Sequence, residues 1–256
     1  MIYNTVRSVE FGLKFIFMSI FKELKVIELA SVLAGPSVGQ FFAELGATVI
    51  KVENPATGGD VTRSWKGAQE QTDERSAYFC SVNWGKQSVS VDLNTLAGKE
   101  QIYSLIPSCD VVLVSYKPGD AEKLGMDYKT LSALNPRLIY GSITGYGAHN
   151  PRVGYDAVIQ AEAGFMFLNG NPGGNSLKMP VALMDVLAGH QLKEGILLAL
   201  LHRERTGIGD CVEVSLLQAG VASLVNQATN WLVAGKLPVK QGSAHPNIAP
   251  YGDVFI

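Results

Sequence analysis

The chain has 256 residues, 47% hydrophobic and 17% charged, and a chain of that length and composition buries roughly 70–75% of its unfolded surface, which excludes intrinsic disorder. Its formal net charge of -2 supplies no broad field for nucleic acid or an anionic membrane, so any anion site must be built locally. Cys80, Cys109 and Cys211 are odd in number and far apart, with no C-x-x-C pair and no histidine at metal spacing; they read as reduced, mostly core thiols of a cytoplasmic protein without a metal site.

Residues 1–22 carry Arg7 and then an apolar stretch, but Lys14 interrupts it and no small-residue cleavage site follows. That pattern is neither a signal peptide nor long enough to span a bilayer. Residues 1–17 are therefore expected to be a poorly ordered extension ahead of Met18, with an amphipathic interaction segment as the alternative.

From residue 25 onward, short apolar runs alternate with helical patterns, the signature of βα units. Lys25–Ala30 reads as a buried strand, Pro36 suits the first turn of a helix, and Gly46 suits its C-terminal cap before a second strand at Ala47–Val52. Further strands are expected at Ser88–Val91, Val111–Ser115 and Leu138–Ile143, with helices near Leu96–Ile106 and Tyr128–Leu134. The alternation predicts an open, Rossmann-like α/β fold with a mostly parallel sheet. Beyond a Gly- and Asn-rich loop at Asn169–Ser176, a long helix is expected from about Val186 to Arg205, with Leu192, Ile196, Ala199 and Leu200 on its core face and Gly207 and Gly209 ending it. A short strand at Val212–Ser215 and one apolar helix at Leu216–Leu232 follow. The last residues, Pro250–Ile256, read as a strand only just begun, the pattern of a truncated chain.

Three loops at strand or helix exits each carry a cation: Arg63 after Gly58, Gly59 and Asp60; Lys86 after Asn83, Trp84 and Gly85; and Lys117 before Pro118 and Gly119. Such loops collect at the carboxyl edge of an α/β sheet, where three cations suit a ligand with several phosphates, although on composition alone each reads first as a solvated basic residue and only second as a phosphate contact. The turn at Ala34–Gly39 offers a helix N-terminus to a phosphate, but the G-x-G-x-x-G of a dinucleotide site is absent. Asp185 follows an apolar run and precedes the long helix. It reads either as an N-cap or as a nucleophile kept ionised by the helix dipole, with the free N–H groups of Val186, Leu187 and Ala188 placed to meet an oxyanion.

Taken together, residues 20–256 resemble the class III CoA-transferases, the family of formyl-CoA and carnitine-CoA transferases also called CaiB/BaiF. The segments that carry the resemblance are LKVIELASVLAGP at 24–36, LGATVIKVE at 45–53 with Gly59, Asp60 and Arg63, and LNPRLIY at 134–140. To these are added Asp185 with Ala188 and Gly189, then Gly195, Ile196, Ala199, Leu200, Arg203, Thr206, Gly207 and the run Val214–Leu216.

The resemblance implies a CoA-binding large domain over 18–220, the start of a linker and small domain over 221–256, and homodimers of interlocked rings. It implies coenzyme A as substrate, carried by an acyl-CoA donor and passed to a carboxylic acid, and Asp185 as the catalytic nucleophile that becomes an aspartyl-CoA thioester. Val32, Ala34, Arg63, Asn83, Lys86 and Lys117 fall on CoA-binding positions. Lys117 stands where members usually have arginine, a point charge in place of a bidentate fork. The glycine-rich loop that closes over the site in formyl-CoA transferase falls near Gln241–His245, where one glycine remains. A related branch, the α-methylacyl-CoA racemases, has Gly-His-Asp where this chain has Gly154, Tyr155 and Asp156; a phenol is a poor base near neutral pH, which favours transfer over racemisation. An inactive fragment is the remaining alternative.

Overall fold

The computed structural model describes residues 20–248. The expected extension at 1–17 and the expected terminal strand at 250–256 lie outside the described residues. Six strands, β1 (Lys25–Leu29), β2 (Thr48–Glu53), β3 (Gln87–Ser90), β4 (Val111–Val114), β5 (Ile139–Thr144) and β6 (Asp210–Ser215), form one sheet in the order β3-β2-β1-β4-β5-β6. Every neighbouring pair is parallel, with Ile27 opposite both Ile50 and Val112 at the centre. This is the doubly wound arrangement, and its order reverses between β1 and β4, where the two carboxyl ends diverge and leave a crevice.

The pleat divides the core in two. Val26, Val49, Val111, Leu113 and Ile139 face one layer of helices, α1 (Ala34–Glu44), α8 (Leu183–Thr206) and α9 (Leu216–Ala222), while Ile27, Leu29, Val112, Val114 and Tyr140 face the other, α3 (Leu96–Leu105) and α5 (Tyr128–Leu134). β4 is buried at all four residues, as a central strand covered on both faces must be. The remaining helices are short: α2 (Ala77–Cys80), α4 (Asp120–Leu124), α6 (Asp156–Glu162), α7 (Phe165–Leu168) and α10 (Asn226–Ala234). Local caps set the boundaries: Thr95 accepts from the Gly98 N–H at 3.0 Å, Asp127 from that of Thr130 at 3.0 Å, and Gly207, at φ +76°, closes α8.

Three expectations need correction. α8 starts at Leu183, not at Val186. The apolar stretch expected as one helix over 216–232 is two, α9 and α10, interrupted at Val225, whose φ is +45°. Among the cysteines Cys109 is buried, but Cys80 is exposed and Cys211 half-buried. No helix among the described residues is long and apolar enough to cross a membrane.

Candidate active site

A cleft of about 440 Å³ opens at the switch point, walled by the residues that leave β1 (Ser31–Ala34), β4 (Ser115–Pro118) and β5 (Ile143–Gly145), with Val61, Trp65, Arg152–Asp156, Asp185 and Leu216 completing it. Two helix contacts bring Asp185 there. α8 lies across α1 so closely that a Cβ on Gly189 would stand 2.5 Å from Ser37 Oγ and 3.1 Å from the Ala34 carbonyl oxygen. Its first turn is held from the other side by Asp156, which accepts the Met184 N–H at 2.8 Å. Gln160, fully buried, fixes Asp156 in turn: its amide donates to the Asp156 carboxylate at 2.8 Å and its carbonyl accepts the Met179 N–H at 2.9 Å.

Asp185 is therefore the third residue of α8, not its cap; Ala182 occupies that place and makes no side-chain cap. Nor is the Val186 N–H free, since it donates to the Ala182 carbonyl at 3.1 Å. The Asp185 carboxyl is buried at 8% exposure and has no hydrogen bond or ion pair among the described residues. Burial, and next the negative charge of Asp156, push its pKa up to about 7. The expectation that the helix dipole keeps this carboxylate ionised needs correction: desolvation is the larger effect and favours the protonated form. Two neighbouring carboxylates are given different roles by their surroundings: Asp156 is tied into the backbone, and Asp185 is left untied and basic. A desolvated, basic carboxylate at the wall of a cleft is equipped to attack a carbonyl carbon.

Of the six expected CoA-binding residues, the structure brings three to this cleft. Val32 and Ala34 form its β1 wall, and Lys117 stands exposed on the β4 wall. The other three are engaged elsewhere. Arg63 forms a two-pronged pair with Glu53, at 2.7 and 2.5 Å, and lies 3.9 Å over the Phe79 ring. Lys86 is neither solvated nor at the cleft: it donates to Glu28 at 3.0 Å, the Pro36 carbonyl at 2.8 Å and Asn83 Oδ1 at 2.9 Å, which uses its three protons. Asn83, besides accepting from Lys86, donates to the Phe79 carbonyl at 2.8 Å. Glu28 and Glu53 sit on neighbouring strands and draw these cations inward, a pairing that loop composition does not reveal. Residues 241–245 do not line the cleft either; Gly242 instead donates to the Gly170 carbonyl at 3.1 Å.

Sequence reasoning missed Gln160 and Tyr78. Burial chiefly, and then the charge of Asp185, raise the Tyr78 phenol, whose ring meets Trp65 edge-on at 5.1 Å. The signal for Gln160 was its position four residues after Asp156, one turn along the same helix face. No cluster of three or more metal-ligating side chains occurs among the described residues.

Comparison with known proteins gives consistent relatives. The sequence profile of CoA-transferase family III matches residues 21–255. The succinate–glutarate CoA-transferase of Agrobacterium fabrum is 43% identical over 235 residues, 89% of this chain and 58% of that protein. The human succinyl-CoA:glutarate CoA-transferase is 37% identical over 231 residues, 89% of this chain and 52% of its own length. A crystal structure of a CaiB/BaiF family protein from Brucella suis superposes with a TM-score of 0.85 at 43% identity, covering 91% of this chain and 63% of that one. The chain thus spans little more than half the length of the curated relatives that it matches.

Proposed function

This chain belongs to CoA-transferase family III, and on that premise we propose that Asp185 is the nucleophile through which its active site passes CoA from an acyl-CoA to a carboxylic acid. The observation that carries the proposal is the Asp185 carboxylate itself: buried, unpaired among the described residues and with its pKa raised to about 7, on the cleft at the sheet's switch point.

In the first step an Asp185 oxygen adds to the thioester carbonyl and expels CoA thiolate, leaving an aspartyl-acyl anhydride. The thiolate then attacks the Asp185 carbonyl; the donor acid departs with the oxygen that bridged the anhydride, and an aspartyl-CoA thioester remains. The acceptor carboxylate reverses the sequence: one of its oxygens bonds the Asp185 carbonyl, thiolate leaves, and thiolate returns to the acceptor's acyl carbon. That acceptor oxygen stays on Asp185. An anhydride lies uphill of a thioester, so binding of the nucleotide and pantetheine arm must help drive its formation. Val32, Ala34 and Lys117 are the contacts assigned to that arm, while Arg63, Asn83 and Lys86 are assigned an indirect part through the loops they brace. Tyr155 in place of a histidine base favours transfer over α-proton exchange.

The free thiols fit a reducing, cytoplasmic setting. A homodimer belongs to the same proposal, supported by the exposed Trp231, Leu232 and Val233 on α10. The test is an acceptor acid labelled with heavy oxygen at its carboxylate. Turnover is expected to leave the label on the peptide that contains Asp185; product formed with no label there contradicts the mechanism.

A further inference from the structure

Val32 lines the cleft with φ at +72°, a left-handed conformation that a β-branched residue adopts only when its surroundings enforce it. The Val32 N–H faces Asp60, whose carboxylate oxygens lie 3.4 and 3.3 Å from the Val32 nitrogen. Asp60 is itself held by Thr62 and by the Lys51 ammonium at 2.9 Å. Lys51 also donates to the carbonyl of Ala30 at 2.8 Å and to Glu28 at 3.0 Å. The second oxygen of Glu28 meets Lys86 at 2.7 Å, and Lys86 reaches the Pro36 carbonyl on the far side of the turn at 2.8 Å. Four charged side chains, none more than 2% exposed, thus grip both limbs of the β1–α1 turn. α1 leaves room for them at Gly39, where a Cβ would stand 1.9 Å from Glu28 Oε2.

Two positive and two negative charges sum to zero, yet a buried ionic cluster stabilises a fold no better than apolar side chains of the same volume. Its advantage is direction: each pair fixes a backbone atom at a defined place. Burial works to lower the Lys51 pKa, but Glu28 and Asp60 outweigh it and hold it above the ordinary lysine value.

We propose that the chain of ion pairs Lys86–Glu28–Lys51–Asp60 is a positioning device that locks the β1–α1 turn left-handed at Val32, so that Val32–Ala34 meet the acyl-CoA beside Asp185 without being ordered by it. The proposal rests on the CoA-transferase reading above. The four residues touch no substrate; they act through the Val32 peptide.

Two substitutions at one position separate this role from simple contact. Val32→Ala and Val32→Gly both remove the isopropyl group, but alanine keeps the left-handed strain and glycine releases it. Thermal unfolding of the whole chain is expected to show Val32→Gly more stable than Val32→Ala by about 2–4 °C. Titration with free CoA is expected to show the reverse order, with Val32→Gly binding about five- to ten-fold more weakly, because the freed turn must be ordered by the ligand. A merely structural role moves stability alone, so equal CoA affinity in the two variants overturns the proposal. Asp60→Asn keeps an acceptor for the Val32 N–H while removing the charge that Lys51 holds; unchanged CoA affinity in that variant also overturns it, and if it fails to fold the Val32 pair decides. Absence of CoA binding by the unaltered chain refutes the transferase reading, and this role falls with it.

Discussion

At Asp185 the requirements of the proposed chemistry and of stability conflict. A carboxyl that titrates near pH 7 in the folded chain, against an ordinary 3.8, binds its proton more tightly folded than unfolded. Folding stability from this group therefore falls as pH rises from 3.8 to 7 and stays low above that. Asp185→Asn removes the ionisation, so at pH 8 the variant should be more stable than the unaltered chain by on the order of 2–4 kcal/mol while losing transfer. The advantage should shrink as pH falls toward 4 and disappear below it. Denaturant melts of both proteins across that range check this, and a variant less stable at pH 8 would contradict the burial account of Asp185. That Asp185 stands at the start of an apolar helix was legible, although the sequence placed it ahead of the first turn and the structure places it third in α8. Its protonation behaviour was not, because the dipole argument sees one helix while desolvation and Asp156 come from the whole cleft wall.

The site depends on how closely α8 crosses α1, and that distance is set at Gly189. A side chain there meets Ser37 Oγ and the backbone of Ala34, so Gly189→Val must push α8 outward or tilt it. Overpacking of this kind costs about 1–3 kcal/mol. The same displacement moves Asp185 away from the Val32–Ala34 wall, and transfer is expected to fall by at least about ten-fold at a temperature where the variant remains folded, as placement errors of an ångström or less do to catalytic groups. Retained transfer despite lowered stability would show that the crossing does not set the geometry. Element boundaries followed the sequence well where caps were local, as at Thr95, Asp127 and Gly207. They shifted where tertiary partners decide: α8 gains its first residues because Asp156 and Gln160, more than twenty positions upstream of Asp185, secure Met184 and the approach to it. The split between α9 and α10 at Val225 had no breaker residue to announce it.

Over the whole molecule, the alternation of apolar runs and helical patterns was enough for a doubly wound parallel sheet, and the strand order then placed the crevice at the ends of β1 and β4. Val32, Ala34, Lys117 and Asp185, read from separate segments, converge on that crevice. Arg63 and Lys86 do not, because the carboxylates of Glu53 and Glu28 that claim them lie on strands whose facing is invisible until the sheet is assembled. What unites the cleft, the buried pairs and the untied carboxylate is one claim, that Asp185 becomes covalently activated by an acyl-CoA. Intact-mass and peptide mapping after incubation with a panel of acyl-CoAs and hydroxylamine tests it directly, since hydroxylamine converts an aspartyl anhydride or thioester into a stable hydroxamate. The expected product is a hydroxamate that maps to Asp185 and is absent from Asp185→Asn; transfer that proceeds without it, or a hydroxamate mapping to another carboxylate, would rule out Asp185 as the nucleophile.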